Sequence, residues 1–181
     1  MKTVLPLILL AALAACQKDP IEVRVEPKED QPMAAMPPAA RPSGVHWTAP
    51  AGWTELAGNG MRIATLEPPQ TAGKAEVTVV ALPGDVGGEL ANVNRWRGQL
   101  ALPPIAAAGL PPARATVKCR LGSLFVYDFT GTGEKKTRLV AGMISVSGTM
   151  WFFKLMGDEK AVEAAKPAFL KLLEGLKRDA A

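Results

Sequence analysis

The feature that most constrains the fold is the alternation of apolar and polar residues between positions 46 and 156, interrupted at short intervals by proline and glycine. A period of two is typical of strands that bury one face of a sheet. We therefore predict seven strands, of which the first is a short edge segment broken by Pro50. They are His46–Trp53, Met61–Leu66, Ala75–Leu82, Arg114–Cys119, Leu121–Thr130, Thr137–Val146 and Thr149–Met156.

Two stretches have helical spacing instead. The first runs from about Gly88 to Leu100, and the second from about Asp158, a predicted N-cap, to Leu176. Pro167 is expected to kink or restart the second helix, because proline lacks a backbone donor. The order of elements predicts an α+β fold: a mostly antiparallel sheet of six to seven strands with two helices, one on each face, as an α/β/α sandwich. The first helix has a polar-apolar pattern with three- and four-residue spacing, at Leu90, Val93, Trp96 or Arg97, and Leu100. The apolar face of the second consists of Val162, Ala165, Phe169, Leu172, Leu173 and Leu176.

An uncharged run of 15 residues, Leu139–Phe153, raises the question of a membrane span. A spanning helix needs about 20 apolar residues. Polar and small residues, among them Ser147 and Gly148, also lie at the centre of this run. We therefore predict a tight β-hairpin here.

Three motifs in this part of the chain resemble the PsbP/Mog1-like α/β/α sandwich. They are Trp47-x-x-Pro50-x-Gly52-Trp53, the Pro83-Gly84 end of the third strand, and Trp151-Phe152-Phe153-Lys154-Leu155-x-Gly157 before the last helix. A further motif, Asn92-x-Asn94-Arg95-Trp96-Arg97-Gly98-Gln99, resembles a bacterial lipoprotein group of unknown function. The resemblance implies an accessory or partner-binding domain, since PsbP-like and Mog1-like proteins are not usually described as enzymes. Fold resemblance alone does not assign a function.

The N-terminal sequence predicts where the protein is located. Lys2 precedes a run of 12 uncharged residues, Val4–Ala15, which has the length of a signal-peptide hydrophobic region. It ends in Leu13-Ala14-Ala15-Cys16, which resembles a bacterial lipobox, so Cys16 is expected to carry lipid. An ordinary secretory signal is the alternative. In lipoproteins an aspartate after the cysteine commonly signals inner-membrane retention; here Gln17 favours the outer membrane, facing the periplasm.

Residues 17–45 contain six prolines, charges of both signs and no aromatic residue. Such a segment buries too little apolar surface to offset its ordering entropy. We therefore predict three regions: a signal peptide over 1–15, a lipidated cysteine and disordered proline-rich tether over 16–45, and one sandwich domain over 46–181.

Candidate catalytic groups are few. His46 is expected at the surface, and Cys119 lies inside a predicted strand, where a buried small hydrophobe is the simplest interpretation. The glycine-rich turn over 83–88 fits helix capping by Asp85 or Glu89 better than phosphate binding. Four carboxylates sit at element ends, where solvated charges are normal: Asp128, Glu134, Asp158 and Glu159. We therefore expect no enzymatic activity, no cofactor, no metal and no nucleic-acid binding.

The first helix carries the candidate binding residues. One interpretation buries Trp96 in the core with Val93 and Leu100, edged by Arg95 and Arg97. The other makes this helix a recognition face, because Trp and Arg are enriched at binding hot spots. The residues of that face are Asn92, Asn94, Arg95, Trp96, Arg97 and Gln99.

These observations predict a membrane-anchored, periplasm-facing lipoprotein whose domain binds an envelope protein without catalysis. A small-ligand or lipid-binding module is the first alternative and requires an apolar cavity between sheet and helix. An envelope hydrolase with an unfamiliar site is the second.

Overall fold

The computed structural model describes residues 44–179, which form a sheet of seven antiparallel strands and three α-helices. The strands lie in the order β1-β2-β3-β7-β6-β5-β4. The α+β class predicted from the order of elements is confirmed. The strands are β1 (Thr54–Ala57), β2 (Arg62–Glu67), β3 (Ala75–Pro83), β4 (Arg114–Cys119), β5 (Gly122–Thr130), β6 (Thr137–Val146) and β7 (Thr149–Asp158), and the helices are α1 (Gly88–Gln99), α2 (Leu110–Ala113) and α3 (Glu159–Glu174).

The two faces of the sheet carry separate apolar cores. On the first face, α3 packs over the strands together with Val45 and Trp47, which precede β1. On the second face, α1 and the loop that follows it pack over β5, β6 and β7. The strand β7 shows why two cores form, because Trp151 and Phe153 belong to the first and Phe152 to the second. Successive side chains of a strand point to opposite faces, as the sequence predicts here.

The predicted hairpin at the uncharged run is confirmed. The strands β6 and β7 pair from Thr137↔Asp158 to Val146↔Thr149, and Ser147 and Gly148 form the turn between them. Both turn residues have positive φ, 50° for Ser147 and 76° for Gly148. Within residues 44–179, no helix is long and apolar enough to cross a membrane.

The first predicted strand is wrong. Residues 46–53 form no strand apart from an isolated bridge at His46, and β1 instead occupies Thr54–Ala57. Pro50 and Gly52, which has a φ of 78°, turn the chain before β1 begins. The loop after α1 also contains an unpredicted short helix, α2, which begins with a proline-rich turn.

The last helix matches its predicted apolar face, since Val162, Phe169 and Leu173 are each 0% exposed. Asp158 occupies the N-cap position but makes no side-chain hydrogen bond to the helix. Its Oδ2 accepts a hydrogen bond from the Lys74 backbone N at 2.9 Å instead. Pro167 is exposed and α3 continues through it, so the predicted restart does not occur.

The start and the end of the described chain lie side by side. The His46 backbone N donates to the Lys177 carbonyl oxygen at 2.8 Å, and the Lys177 N donates back to His46 at 3.2 Å. Val45 and Trp47, on either side of His46, are each 2% exposed. The packed domain therefore includes Val45, the residue before the predicted boundary. The rest of the predicted signal peptide and tether lies outside the described residues, apart from Gly44.

A glycine in β7 permits a close strand approach. A Cβ on Gly157 would overlap the Lys74 carbonyl oxygen and lie 2.9 Å from the Ala75 Cβ. We expect Gly157→Ala to lower the free energy of unfolding by about 1–3 kcal/mol, because backbone must shift to make room. Urea denaturation followed by circular dichroism measures this.

The matched control is Gly98→Ala on α1, where an added Cβ meets nothing within 4 Å. Alanine favours helix over glycine by up to about 1 kcal/mol, so this variant should be more stable than wild type. Equal effects of the two substitutions would contradict the close approach at Gly157.

Candidate functional site

The N-terminal turn of α1 is held by hydrogen bonds to the sheet and the preceding loop. Asp85 Oδ1 accepts from the Gly88 backbone N at 3.2 Å, so Asp85 satisfies a donor at the helix start, although Gly87 occupies the N-cap position. Glu89 instead contacts the sheet: it accepts a hydrogen bond from the Tyr127 hydroxyl and pairs with Arg114 at 3.2 Å. Burial and the Glu89 carboxylate both raise the pKa of Tyr127 above its ordinary value. These contacts position α1 on the second face.

Two of the predicted binding residues organise backbone within the domain. Asn92 is 2% exposed, and its Nδ2 donates to the carbonyl oxygens of Val86 at 2.8 Å and Gly88 at 2.7 Å. Asn94 bonds the backbone of Ile105 in both directions, at 3.0 Å through Nδ2 and 2.8 Å through Oδ1. Asn92 therefore closes the entry to α1, and Asn94 fixes the loop that leaves it.

Trp96 is 5% exposed and packs on Tyr127 and Phe152, with ring centroids 6.2 and 6.1 Å away. The core interpretation of Trp96 is thus confirmed. The two arginines flank it as predicted. Arg97 donates to the Pro103 carbonyl oxygen at 2.8 Å and lies 5.1 Å from the Phe129 ring, whereas Arg95 is exposed.

The side of α1 that carries Arg95 and Gln99 borders a part of the second sheet face that the helix does not cover. Arg95 donates to Asn92 Oδ1 at 2.8 Å, and Gln99, one turn further on, accepts from Lys154 Nζ at 3.1 Å. Residues four apart share one side of a helix. Across the strands, Lys154 pairs with Thr78, and Thr78 pairs with Thr65. Thr65 in turn pairs with Leu56 on the edge strand β1, so these side chains form one row that leads away from α1. We call the surface formed by Leu56, Arg62, Thr65, Glu76 and Lys154 the open face.

The open face holds an unequal set of charges. Arg62 pairs with Glu76 at 3.4 Å, and both side chains are almost half exposed, at 47% and 44%. Lys154 is half-buried; burial and then the nearby Arg62 guanidinium lower its pKa, and Glu76 offsets only part of this. Within residues 44–179, Lys154 forms no ion pair inside 4.0 Å, and its described polar partner is the neutral Gln99.

Two large hydrophobic side chains lie exposed in the hairpin of β1 and β2, at the edge of the sheet. Leu56 on β1 is 44% exposed, and Met61 in the turn before β2 is 74% exposed. Both belong to one hairpin, whose turn is closed by the Arg62 backbone N donating to Asn59 at 3.1 Å. Exposed apolar side chains are common singly, whereas larger apolar patches rimmed by polar residues mark interaction sites.

A groove of about 450 Å³ adjoins the open face and shares Glu76 with it. Met156, which pairs with Glu76 in the sheet, forms part of its wall. A second groove of about 490 Å³ lies between residues 48–51 and α3. Both grooves lie at the surface of the domain. The residues of the first are Glu67, Gln70, Lys74, Ala75, Glu76, Met156 and Gly157.

The open face was not predicted from the sequence. One signal was present, because Lys154 is the only charged residue between Leu139 and Gly157. A lone charge in a run that forms the central strands of a sheet points to a place where the sheet is uncovered or a partner is needed. Arg62 and Glu76 gave no comparable signal, since alternating strands normally carry charges on their solvent side.

A second charge cluster has a structural role. Asp128 on β5 accepts hydrogen bonds from Arg138 at 2.7 and 2.8 Å and from Lys166 of α3 at 2.7 Å, so it ties the helix to the sheet. Partial burial acts to raise the pKa of Asp128, but the bonds from Arg138 and Lys166 outweigh it and hold the pKa below 3.8.

We expect Asp128→Asn to lower the free energy of unfolding at pH 7 by about 2 kcal/mol, because charged hydrogen bonds are lost. A lowered folded pKa adds stability above the unfolded value near 3.8, and this stability is lost as the pH falls through the folded pKa. The difference from wild type should therefore shrink between pH 5 and about pH 2. Urea denaturation across this range measures it.

The control for this prediction is Glu174→Gln, at an exposed position of α3. It removes one carboxylate charge and should stay within about 0.5 kcal/mol of wild type at each pH. A pH-independent effect of Asp128→Asn would contradict the ion-pair account.

The fold and the open face define an antiparallel α/β/α sandwich with one incompletely covered sheet face. No known family model matches the chain, and no curated protein matches it significantly. Among solved structures it is similar to CyanoP, the PsbP of Synechocystis, with 12% identity, a TM-score of 0.49, and coverage of 75% of this chain and 87% of that one.

Two further solved structures are similar. A protein from Bacteroides thetaiotaomicron has 10% identity and a TM-score of 0.48; 75% of this chain is covered, but the chain spans only 45% of that protein. LpqN of Mycobacterium tuberculosis, involved in cell envelope biogenesis, has 13% identity, a TM-score of 0.46, and coverage of 74% of this chain and 83% of that one. At such identities and TM-scores, none of these proteins defines the function of this chain.

Proposed function

We propose that this protein is a lipid-anchored accessory protein of the bacterial cell envelope, and that its sandwich domain binds a protein partner without catalysing a reaction. The observation that carries the proposal is that exposed Leu56 shares the open face with the charged residues, while exposed Met61 lies in the turn of the same hairpin. Apolar contact residues next to a polar, charged rim are the usual composition of a protein interface.

The charges of the open face support a protein partner over a membrane surface. Glu76 lies within it and Glu67 lines the adjoining groove, so an anionic lipid surface would meet carboxylates as well as cations. A protein can present charges of both signs in matching positions. Arg95, on the side of α1 that borders the open face, makes the predicted helix surface continuous with it at that edge.

The sequence motif at Cys16 supports the location. A lipidated Cys16 followed by Gln17 favours the outer membrane on the periplasmic side, with inner-membrane placement the alternative. The proline-rich sequence between Cys16 and the domain would serve as a spacer, which suits a module that binds a partner near the membrane.

The alternative function is that of a small-ligand or lipid-binding module. Its candidate binding site is the groove lined by Met156 and Glu76. Its volume of about 450 Å³ falls within the range of ligand pockets. Fatty acids or lipids added to the purified protein should then shift the NMR signals of the Met156 methyl group. Unchanged signals would leave protein binding as the proposal.

Site-specific photocrosslinking in living cells tests the proposed function. A photoreactive residue at position 61 should yield a discrete crosslinked species, whereas the same residue in place of Ala164, exposed on α3, should not. Leu56→Ser should weaken the crosslink from position 61 while the circular dichroism spectrum stays unchanged. Equal crosslinks from both positions, or none from position 61, would overturn the proposal.

A further inference from the structure

The open face contains a cation without an ionic partner among the described residues. Lys154 lies on the central strand β7, half-buried, with its Nζ 3.1 Å from the neutral Gln99 Oε1. Glu76, the carboxylate on the neighbouring strand, is engaged with Arg62 at 3.4 Å. A partly buried ammonium group beside a guanidinium is unfavourable unless an anion joins them. This site is therefore electrostatically incomplete.

The surroundings restrict which anion fits. Thr78, which pairs with Lys154 in the sheet, is 6% exposed, so the base of the site is closed. Leu56, at the sheet edge of the open face, offers apolar contact, and Met61 is exposed in the turn of the same hairpin. Glu76 remains nearby and would repel a group of high charge, which disfavours a phosphate relative to a single carboxylate. The site thus suits a carboxylate carried next to an apolar group.

We propose that the open face recognises an acidic segment of a protein partner, in which a carboxylate binds between Lys154 Nζ and the Arg62 guanidinium and an adjacent apolar side chain contacts Leu56 and Met61. This inference rests on the proposed function and names the partner's chemistry. A carboxylate is well matched to the site, because guanidinium and ammonium donors bind it through charge-assisted hydrogen bonds. A bound carboxylate would neutralise the second positive charge of the site, because Glu76 balances only one of the two cations Arg62 and Lys154.

The test titrates the purified full chain with an acetylated peptide of alternating leucine and glutamate, and with the matched leucine and glutamine peptide. The NMR signal of the Lys154 Cε group, assigned with Lys154→Gln, reports the site. The glutamate peptide should shift this signal and raise the pKa of Lys154, since a bound carboxylate favours the charged form. The glutamine peptide should do neither.

Matched variants separate local recognition from general charge. Isothermal titration calorimetry, which does not depend on the Lys154 signal, should show that Lys154→Gln and Arg62→Gln each weaken binding of the glutamate peptide about tenfold or more. Lys118→Gln and Arg120→Gln remove the same charges at the opposite edge of the sheet, where both residues are exposed, and should leave binding unchanged. Equal weakening by all four variants would overturn the proposal, because it would show non-specific attraction.

Two further probes cover other sources of negative charge. Inorganic phosphate and phosphatidylglycerol vesicles should shift the Lys154 signal less than the glutamate peptide does at equal concentration of anionic groups. A stronger response to either, or no response to the peptide, would overturn carboxylate recognition. If crosslinking at position 61 is nevertheless retained in Lys154→Gln, partner binding stands and only the carboxylate proposal fails.

Discussion

Replacing Trp151 with alanine is expected to lower the free energy of unfolding by about 3–5 kcal/mol. Trp151 is 1% exposed, stacks on Phe153 with centroids 6.5 Å apart, and meets the edge of Trp47 at 6.3 Å. The substitution removes the centre of this aromatic cluster and leaves a cavity that strands on both sides cannot fill. Since domains of this size are stable by about 5–15 kcal/mol, the loss is a large part of the total.

Urea denaturation followed by far-UV circular dichroism measures this effect without relying on the deleted fluorophore. Met61→Ala provides the control, because a side chain that is 74% exposed contributes little to stability. We expect it to lie within about 0.5 kcal/mol of wild type. A Trp151→Ala variant as stable as the Met61→Ala variant would show that the cluster is not the centre of the first core.

Replacing Cys16 with serine is expected to abolish incorporation of radiolabelled palmitate and to release the protein from the membrane fraction. Each buried CH₂ group contributes about 0.8 kcal/mol, and two or more acyl chains are needed for stable anchoring. Bacterial lipoproteins, which the motif at Cys16 resembles, carry three chains on this residue. A serine side chain offers no thiol for the diacylglyceryl group, so the proposed anchor would be lost.

The chain provides a matched control for this experiment. Cys119, its other cysteine, lies in β4 and packs against the first core, so Cys119→Ser should leave the label and the membrane fraction unchanged. Label retained in Cys16→Ser would remove the basis for both the proposed anchor and the proposed location. Label lost in both variants would indicate a folding or export defect instead.

Much of the fold follows from local patterns in the sequence. The hairpin at Ser147 and Gly148 was predictable because polar and turn-forming residues interrupt an uncharged run. The position of α3 was predictable from its apolar face. The strand β1 was not, because it has only four residues, three of them exposed, and is defined by pairing with β2 rather than by its own pattern.

The candidate site was less predictable than the fold. The polar residues of α1 predicted a recognition face. In the structure, Asn92 and Asn94 instead bind backbone groups 4 to 11 residues away, and sequence periodicity does not reveal such contacts. The open face combines residues from β1, β2, β3 and β7, whose neighbourhood depends on strand order. Sequence reveals the alternation within each strand, whereas the order of strands arises from long-range packing.

The mutual hydrogen bonds of His46 and Lys177 have a mechanical consequence. A force applied along the chain before His46 would reach the sheet only after two events. It would first break these two hydrogen bonds and draw Trp47 out of the aromatic cluster. The load would thus fall first on the junction with the end of α3 and spare the open face on the other side of the sheet. For the proposed lipid-anchored protein, this separation would let the anchor carry tension while the open face stays bound to the proposed partner.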